Sequence, residues 1–111
     1  MAIKNPQEPF TRITIAEALE RLEDTDVAFV DVRDPHEYNA GHVPGASLLP
    51  VNSVYARREE LPKDKDIIFV CALGQRSALA CEMAAAAGFD RLFNLDGGTD
   101  AWVKAGYNTE Q

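Results

Sequence analysis

A cysteine at the end of an apolar run is the residue of this chain best suited to chemistry. Cys71 follows the run 67–70, and a short loop containing Gly74 leads from it into an Ala-rich stretch. If the run is a parallel strand, Cys71 lies at the carboxyl edge of a sheet, where open α/β folds place their ligands. Backbone N–H groups of the loop and of a following helix would stabilise negative charge there. The pattern predicts a nucleophilic cysteine whose resting form is the thiolate.

The residues after the cysteine form a predicted anion-binding loop. Gly74 lets the loop turn without a Cβ clash. Arg76 carries a planar guanidinium that can pair with two oxygens of an anion, so we expect it to hold an anionic substrate. The alternative is a solvent-facing arginine in a surface ion pair. The predicted loop comprises Ala72, Leu73, Gly74, Gln75, Arg76 and Ser77.

Arg33 is a further candidate, because it follows a second apolar run, 27–32, and could reach the same edge of the sheet. There it would add positive potential near the cysteine. The alternative is an ion pair that pins loops together, with Asp34, Glu37 or Asp96 as its partner.

Metal and disulfide chemistry is not indicated by the remaining candidates. The two cysteines have no C-x-x-C spacing, which predicts neither a zinc site nor a disulfide framework. Cys81 lies among apolar neighbours and is expected to be a packed thiol. His42 is expected to hydrogen-bond within a turn, with acid/base chemistry as the alternative, and His36 is expected to be exposed. A cysteine nucleophile requires no metal and no organic cofactor.

Short apolar runs alternate with helical patterns, which predicts βα units around a mostly parallel sheet. The run 27–32 is continuous and should be a central strand, and the stretch 77–87 is apolar nearly all round and should be a deeply packed helix. Trp102 should anchor the last helix. Strands are predicted at 10–13, 27–32, 46–49, 67–70 and 91–95, and helices after Thr14, after Asp34, and at 51–61, 77–87 and 99–105.

Composition limits the classes of partner. The chain has 111 residues, 46% of them hydrophobic, which fits one domain with one core. The 11 Lys and Arg residues against 18 acidic ones give a net charge of -7, which argues against nucleic acid. Residues 1–10 contain no apolar run, so we expect no secretory signal, no membrane contact and a cytoplasmic location.

Three segments together resemble the rhodanese family of sulfurtransferases. They are residues 31–46 (DVRDPHEYNAGHVPGA), the cysteine loop, and residues 95–102 (LDGGTDAW), in the family's order and spacing. The resemblance implies a three-layer α/β domain at 10–107, between an N-terminal extension at 1–9 and a C-terminal tail at 108–111. It also implies a central, mostly parallel five-stranded sheet with helices on both faces.

The resemblance implies transfer of a sulfane sulfur. Cys71 would attack a small anionic donor such as thiosulfate, or a persulfide, and hold the sulfur as a persulfide. A small or protein thiol, or cyanide, would then accept it in a second step. Two hypotheses of other classes stay open: a non-catalytic binding or regulatory module, and a redox sensor based on oxidation of Cys71.

Loop length distinguishes between the reactions of similar cysteine loops. Cysteine phosphatases use a C-x5-R loop, whereas here Arg76 is the fifth residue after Cys71 and Ser77 is the sixth. The shorter ring resembles the sulfurtransferase form and suits a single sulfur better than a phosphate. Many sulfurtransferases carry a basic residue where this chain has Leu73, so a less positive pocket mouth could weaken thiosulfate binding and favour a persulfide donor.

Overall fold

Six strands form one mixed sheet in the computed structural model, which describes residues 2–111. The sheet order is β1-β2-β6-β5-β3-β4; β1 pairs antiparallel with β2, and all other pairs are parallel. The strands are β1 Ile3–Lys4, β2 Thr11–Ile13, β3 Val27–Asp31, β4 Ser47–Leu48, β5 Asp66–Val70 and β6 Leu92–Leu95. The helices are α1 Ile15–Glu20, α2 Pro35–Ala40, α3 Gln75–Ala86 and α4 Gly98–Lys104.

Strand β5 is buried on both faces because its side chains alternate between two cores. Ile67 and Phe69 pack on the side of α3, in a cluster that includes Ala80. Ile68 and Val70 point to the opposite side, in a cluster that includes Trp102 of α4. Trp102 is completely buried, which confirms its predicted role as an anchor. Strand β5, which ends just before Cys71, therefore packs against a hydrophobic core on each face of the sheet.

The sheet differs from the predicted one in two respects. It has six strands rather than five, because Ile3–Lys4 pairs with the start of β2 across the connecting segment 5–10. This added strand is two residues long and carries no alternating apolar pattern, so the sequence did not indicate it. Strand β3 is interior and pairs on both sides, but it lies next to the edge strand β4, and β5 occupies the more central position.

The helix predicted at 51–61 is wrong. That segment forms two 3₁₀ turns, Val51–Ser53 and Arg58–Glu60. Its first residues, Val51, Asn52 and Ser53, are poor helix formers, so intrinsic propensity does not favour an α-helix there.

Helix α3 packs on the sheet along one side only, contrary to the prediction of a deeply packed helix. Ser77, Ala80, Cys81 and Ala84 are buried, whereas Leu79 is 44% exposed. Alanine occurs in buried and in exposed positions alike, so the many alanines of this segment did not indicate how deeply the helix is buried. Within residues 2–111, every helix is too short or too polar to cross a bilayer.

The two helices predicted to begin after Thr14 and after Asp34 are present. The Thr14 hydroxyl accepts a hydrogen bond from the Glu17 N–H, and the Glu17 carboxylate accepts one from the Thr14 N–H, which is the capping box at the start of α1. Before α2, the Asp34 N–H donates to the Glu37 carboxylate, and Pro35 occupies the first turn.

The last residues of the chain lie against the segment after α2. Backbone N–H and carbonyl groups of His42 and Glu110 exchange two hydrogen bonds of 2.9 Å. The Trp102 indole N–H donates to the carbonyl of Asn108, and the Gln111 side chain donates to the carbonyl of Ala40. These contacts fix the position of residues 108–111.

Candidate active site

Cys71 directly follows β5, and the loop after it covers the sulfur. The Gly74 N–H donates to Cys71 Sγ at 3.0 Å, and Ser77 Oγ lies 3.3 Å from the same sulfur. Gly74 is the N-cap residue of α3. Its φ of +121° is a backbone conformation that favours glycine. The loop therefore directs the Gly74 N–H at the sulfur, and Cys71 as a whole is 1% exposed.

A buried polar network supports the loop from the neighbouring strand. The Ser77 hydroxyl lies within hydrogen-bond distance of Asn94 Oδ1 and of the Gly74 carbonyl. Asn94 Nδ2 also donates to the Gly74 carbonyl at 3.2 Å. Sequence reasoning missed Asn94, although a polar residue inside the apolar run of β6 was a usable signal, because buried amides need partners.

The start of α4 is bonded to the cysteine loop. The Thr99 N–H donates to the Cys71 carbonyl at 2.9 Å, and the Asp100 N–H donates to the Ala72 carbonyl at 3.0 Å. Gly98 makes this approach possible, since a Cβ there would lie 2.6 Å from the Ala72 carbonyl oxygen. The two glycines at 97 and 98 thus serve close packing as well as a turn.

Arg76 and Glu37 form a two-pronged ion pair across the mouth of the loop. Arg76 Nη1 lies 2.8 Å from Glu37 Oε1, and Nη2 lies 3.0 Å from Oε2. The pairing lowers the pKa of Glu37 from 4.5 to about 2 and raises that of Arg76. The side chains are 35% and 25% exposed, respectively. The surface ion pair considered for Arg76 is therefore present, and the Glu37 carboxylate in it also accepts the Asp34 N–H at the start of α2.

Arg33 is buried, and its ion-pair partner differs from the three expected. It pairs with Asp31 through its Nε and Nη2 atoms, at 2.8 to 3.1 Å, and it donates to the Gly41 carbonyl. Asp31 is fully buried. The sequence favoured Asp34, Glu37 or Asp96 as the partner. Residues two apart along an extended chain point to the same side, however, which brings the Asp31 carboxylate within reach of Arg33.

The two histidines occupy the predicted kinds of environment. His42 is buried, stacks on the Tyr38 ring at 3.7 Å between centroids, and has Nδ1 2.9 Å from the Tyr38 carbonyl. His36 is exposed. Ligand atoms of Asp34, His36 and Glu37 come within 4.8 Å of one another. Glu37 is engaged there by Arg76 and by the Asp34 N–H.

Cys81 is separate from this arrangement. It is fully buried on the sheet-facing side of α3, and its Sγ contacts the Phe93 carbonyl at 3.5 Å. Burial raises the pKa of its thiol strongly. Cys81 is therefore a protonated packing residue at neutral pH, as the sequence predicted.

Two surface depressions flank the loop. One of about 280 Å³ involves Leu73 and Gln75, and Leu73 is 57% exposed. The other is a groove of about 510 Å³ on the side of the Arg76–Glu37 pair. Its lining includes Arg33, His36, Glu37, Gly41, Thr99 and Val103.

Known proteins match both the sequence and the fold. The model of the family described as the rhodanese-like domain matches residues 14–105. A sulfurtransferase of Allochromatium vinosum is 42% identical over 88 residues, covering 78% of this chain and 82% of that protein. The thiosulfate sulfurtransferase GlpE of Pseudoalteromonas translucida is 38% identical over 96 residues, covering 86% and 91%.

Among solved structures, the rhodanese-related protein of Thermoplasma volcanium superimposes with a TM-score of 0.81 at 27% identity, covering 89% of this chain and 96% of that one. The rhodanese-like domain of an Anabaena protein gives a TM-score of 0.81 at 32% identity, covering 94% and 80%. The chain therefore belongs to the rhodanese-like domain family, and it is an enzyme of the rhodanese-type transferase class.

Proposed function

We propose that this protein transfers a sulfane sulfur through a persulfide on Cys71. The observation that carries the proposal is the hydrogen bond from the Gly74 N–H to Cys71 Sγ, 3.0 Å long, at the carboxyl end of β5. An N–H aimed at sulfur stabilises both the thiolate and the persulfide anion that replaces it. The site is thereby organised for charge on sulfur before the donor arrives.

With thiosulfate as the donor, the first step breaks the S–S bond of the donor. The Cys71 thiolate attacks the outer sulfur, a new S–S bond forms on Cys71, and sulfite leaves with the electron pair of the broken bond. In the second step a thiolate or cyanide attacks the outer sulfur of Cys71, and the Cys71 thiolate is regenerated. Charge and sulfur balance in both steps.

Burial of Cys71 supports a carrier role for the persulfide. The residue is 1% exposed, so a donor reaches the sulfur only when side chains over the loop move locally. The same enclosure protects the bound sulfur from stray thiols between the two steps. We include a cytoplasmic location in the proposal, because the attacking thiol must be kept reduced.

Intact mass spectrometry tests the proposal directly. Incubation with thiosulfate, methanethiosulfonate or a low-molecular-weight persulfide should add one sulfur atom, and a thiol or cyanide should then remove it. The Cys71→Ser variant should gain nothing. The Cys81→Ser variant is the matched control and should gain sulfur as the wild type does. Failure to load sulfur from every donor would contradict the proposal and favour a binding module.

A further inference from the structure

Every arginine that lines the cysteine loop or its two flanking depressions is paired with a carboxylate. Arg76 pairs with Glu37 and Arg33 with Asp31. Arg12, which lines the depression beside Leu73, pairs with Glu8 through its Nε at 3.0 Å. Asp96 lines the same depression. These pairs leave the surroundings of the sulfur without a net positive charge, in a chain whose formal charge is -7.

Of these pairs, Arg76–Glu37 is the one whose arginine belongs to the cysteine loop. Both Glu37 oxygens face its guanidinium at 2.8 and 3.0 Å. A carboxylate with a pKa of about 2 keeps its charge throughout the neutral range. An anion that approaches Arg76 therefore meets the Glu37 charge at nearly the same distance, and each negative charge on the donor adds repulsion.

We infer that Glu37 is a specificity-determining residue that disfavours dianionic sulfur donors and favours singly charged ones. The inference rests on the proposed sulfur transfer and names the donor class of that site. Exposed Leu73 at the mouth adds an apolar surface, which a donor with an organic group can contact and which thiosulfate cannot use.

Two donors of nearly equal shape isolate the charge. Thiosulfate carries two negative charges, and methanethiosulfonate replaces one of its charged oxygens with a methyl group. Both deliver their outer sulfur to the Cys71 thiolate, with sulfite or methanesulfinate as the leaving group and the electron pair of the broken S–S bond leaving with it. The kcat/KM for thiosulfate divided by that for methanethiosulfonate, measured in one variant, cancels effects that are common to both donors.

The Glu37→Gln variant should shift this ratio toward thiosulfate by roughly 3- to 10-fold, as expected for removal of one charge at the mouth. Glutamine keeps an oxygen for the Asp34 N–H. Glu60→Gln is the matched control, because it breaks the Arg57–Glu60 pair in a 3₁₀ turn away from the loop. An unchanged ratio, or a shift toward methanethiosulfonate, would overturn the inference.

Salt dependence of the wild type gives a second readout that needs no variant. Raising ionic strength from about 0.01 to about 0.3 M screens exposed charges. The kcat/KM for thiosulfate should then stay level or rise, because the site repels the dianion, whereas in Glu37→Gln it should fall. A fall in the wild type would contradict the inference. Failure of both donors to load Cys71 would instead contradict the proposed function.

Discussion

The Thr99 N–H donates to the Cys71 carbonyl at 2.9 Å, so the first turn of α4 lies directly on the cysteine loop. Segments 28 positions apart in the chain thus share one rigid unit, since Thr99 follows Cys71 by that number of residues. The loop is held from α4 on one side and from Asn94 of β6 on the other.

Gly98→Ala should disrupt this unit. A Cβ at 98 would lie 2.6 Å from the Ala72 carbonyl oxygen, and the residue has φ +58°. We expect a loss of about 3–5 kcal/mol in the free energy of unfolding, with loss of sulfur loading. Gly106→Ala is the control, because its φ is +83° and a Cβ there meets nothing within 4 Å. It should cost only about 1–2 kcal/mol. Equal losses in denaturant unfolding would show that contact with the loop is unimportant.

Ser77→Ala should weaken both the site and the fold. The change removes the hydroxyl 3.3 Å from Cys71 Sγ and leaves Asn94 Oδ1 without that partner. We expect persulfide formation to slow by roughly 3- to 10-fold and stability to fall by about 1–3 kcal/mol. Ser47→Ala, on an exposed strand residue, should stay within about 0.5 kcal/mol. A rate equal to that of the wild type would remove Ser77 from the site.

Acid should destabilise the protein through Glu37. The hydrogen-bonded Arg76 guanidinium lowers the pKa of this carboxyl from its ordinary 4.5 to about 2 in the folded protein. The contribution of the ion pair is therefore complete above about 4.5 and is lost as the pH falls toward about 2. We expect about 1–2 kcal/mol from this pair, allowing for solvent screening.

Urea unfolding at several pH values checks this window. The pH dependence between 4.5 and about 2 should be shallower in Glu37→Gln than in the wild type. Glu60→Gln should change it less, because the Arg57–Glu60 pair is exposed. Identical slopes in the wild type and Glu37→Gln would show that the pair contributes nothing to stability.

The two cysteines should differ in reactivity although both are buried. The Cys71 sulfur accepts a hydrogen bond from the Gly74 N–H, whereas burial on the sheet-facing side of α3 raises the pKa of the Cys81 thiol. Iodoacetamide at neutral pH should modify the native protein once, at Cys71, and a second time only after unfolding. Peptide mapping identifies the site. Modification of Cys81 in the native protein would contradict its assignment as a packing residue.

The sequence by itself determined the features that depend on neighbouring residues. An apolar strand followed by Cys71, Gly74 and Arg76 specifies the loop, since turn geometry and strand burial are local properties. The capped starts of α1 and α2 are local for the same reason. Family membership also follows from motifs readable along the chain, and the matching family model confirms it.

Tertiary structure decided how the charges and buried polar groups are paired. Glu37 and Arg76 are 39 positions apart, and Ser77 and Asn94 are 17 apart. Each of these charged or polar side chains had several possible partners in the sequence, and packing selected one. The segment 51–61 shows the same limit, because weak helix propensity left its conformation to its surroundings. The proposed nucleophile, Cys71, can therefore be identified from the sequence, whereas the pairing of Glu37 with Arg76 arises only where α2 approaches the loop.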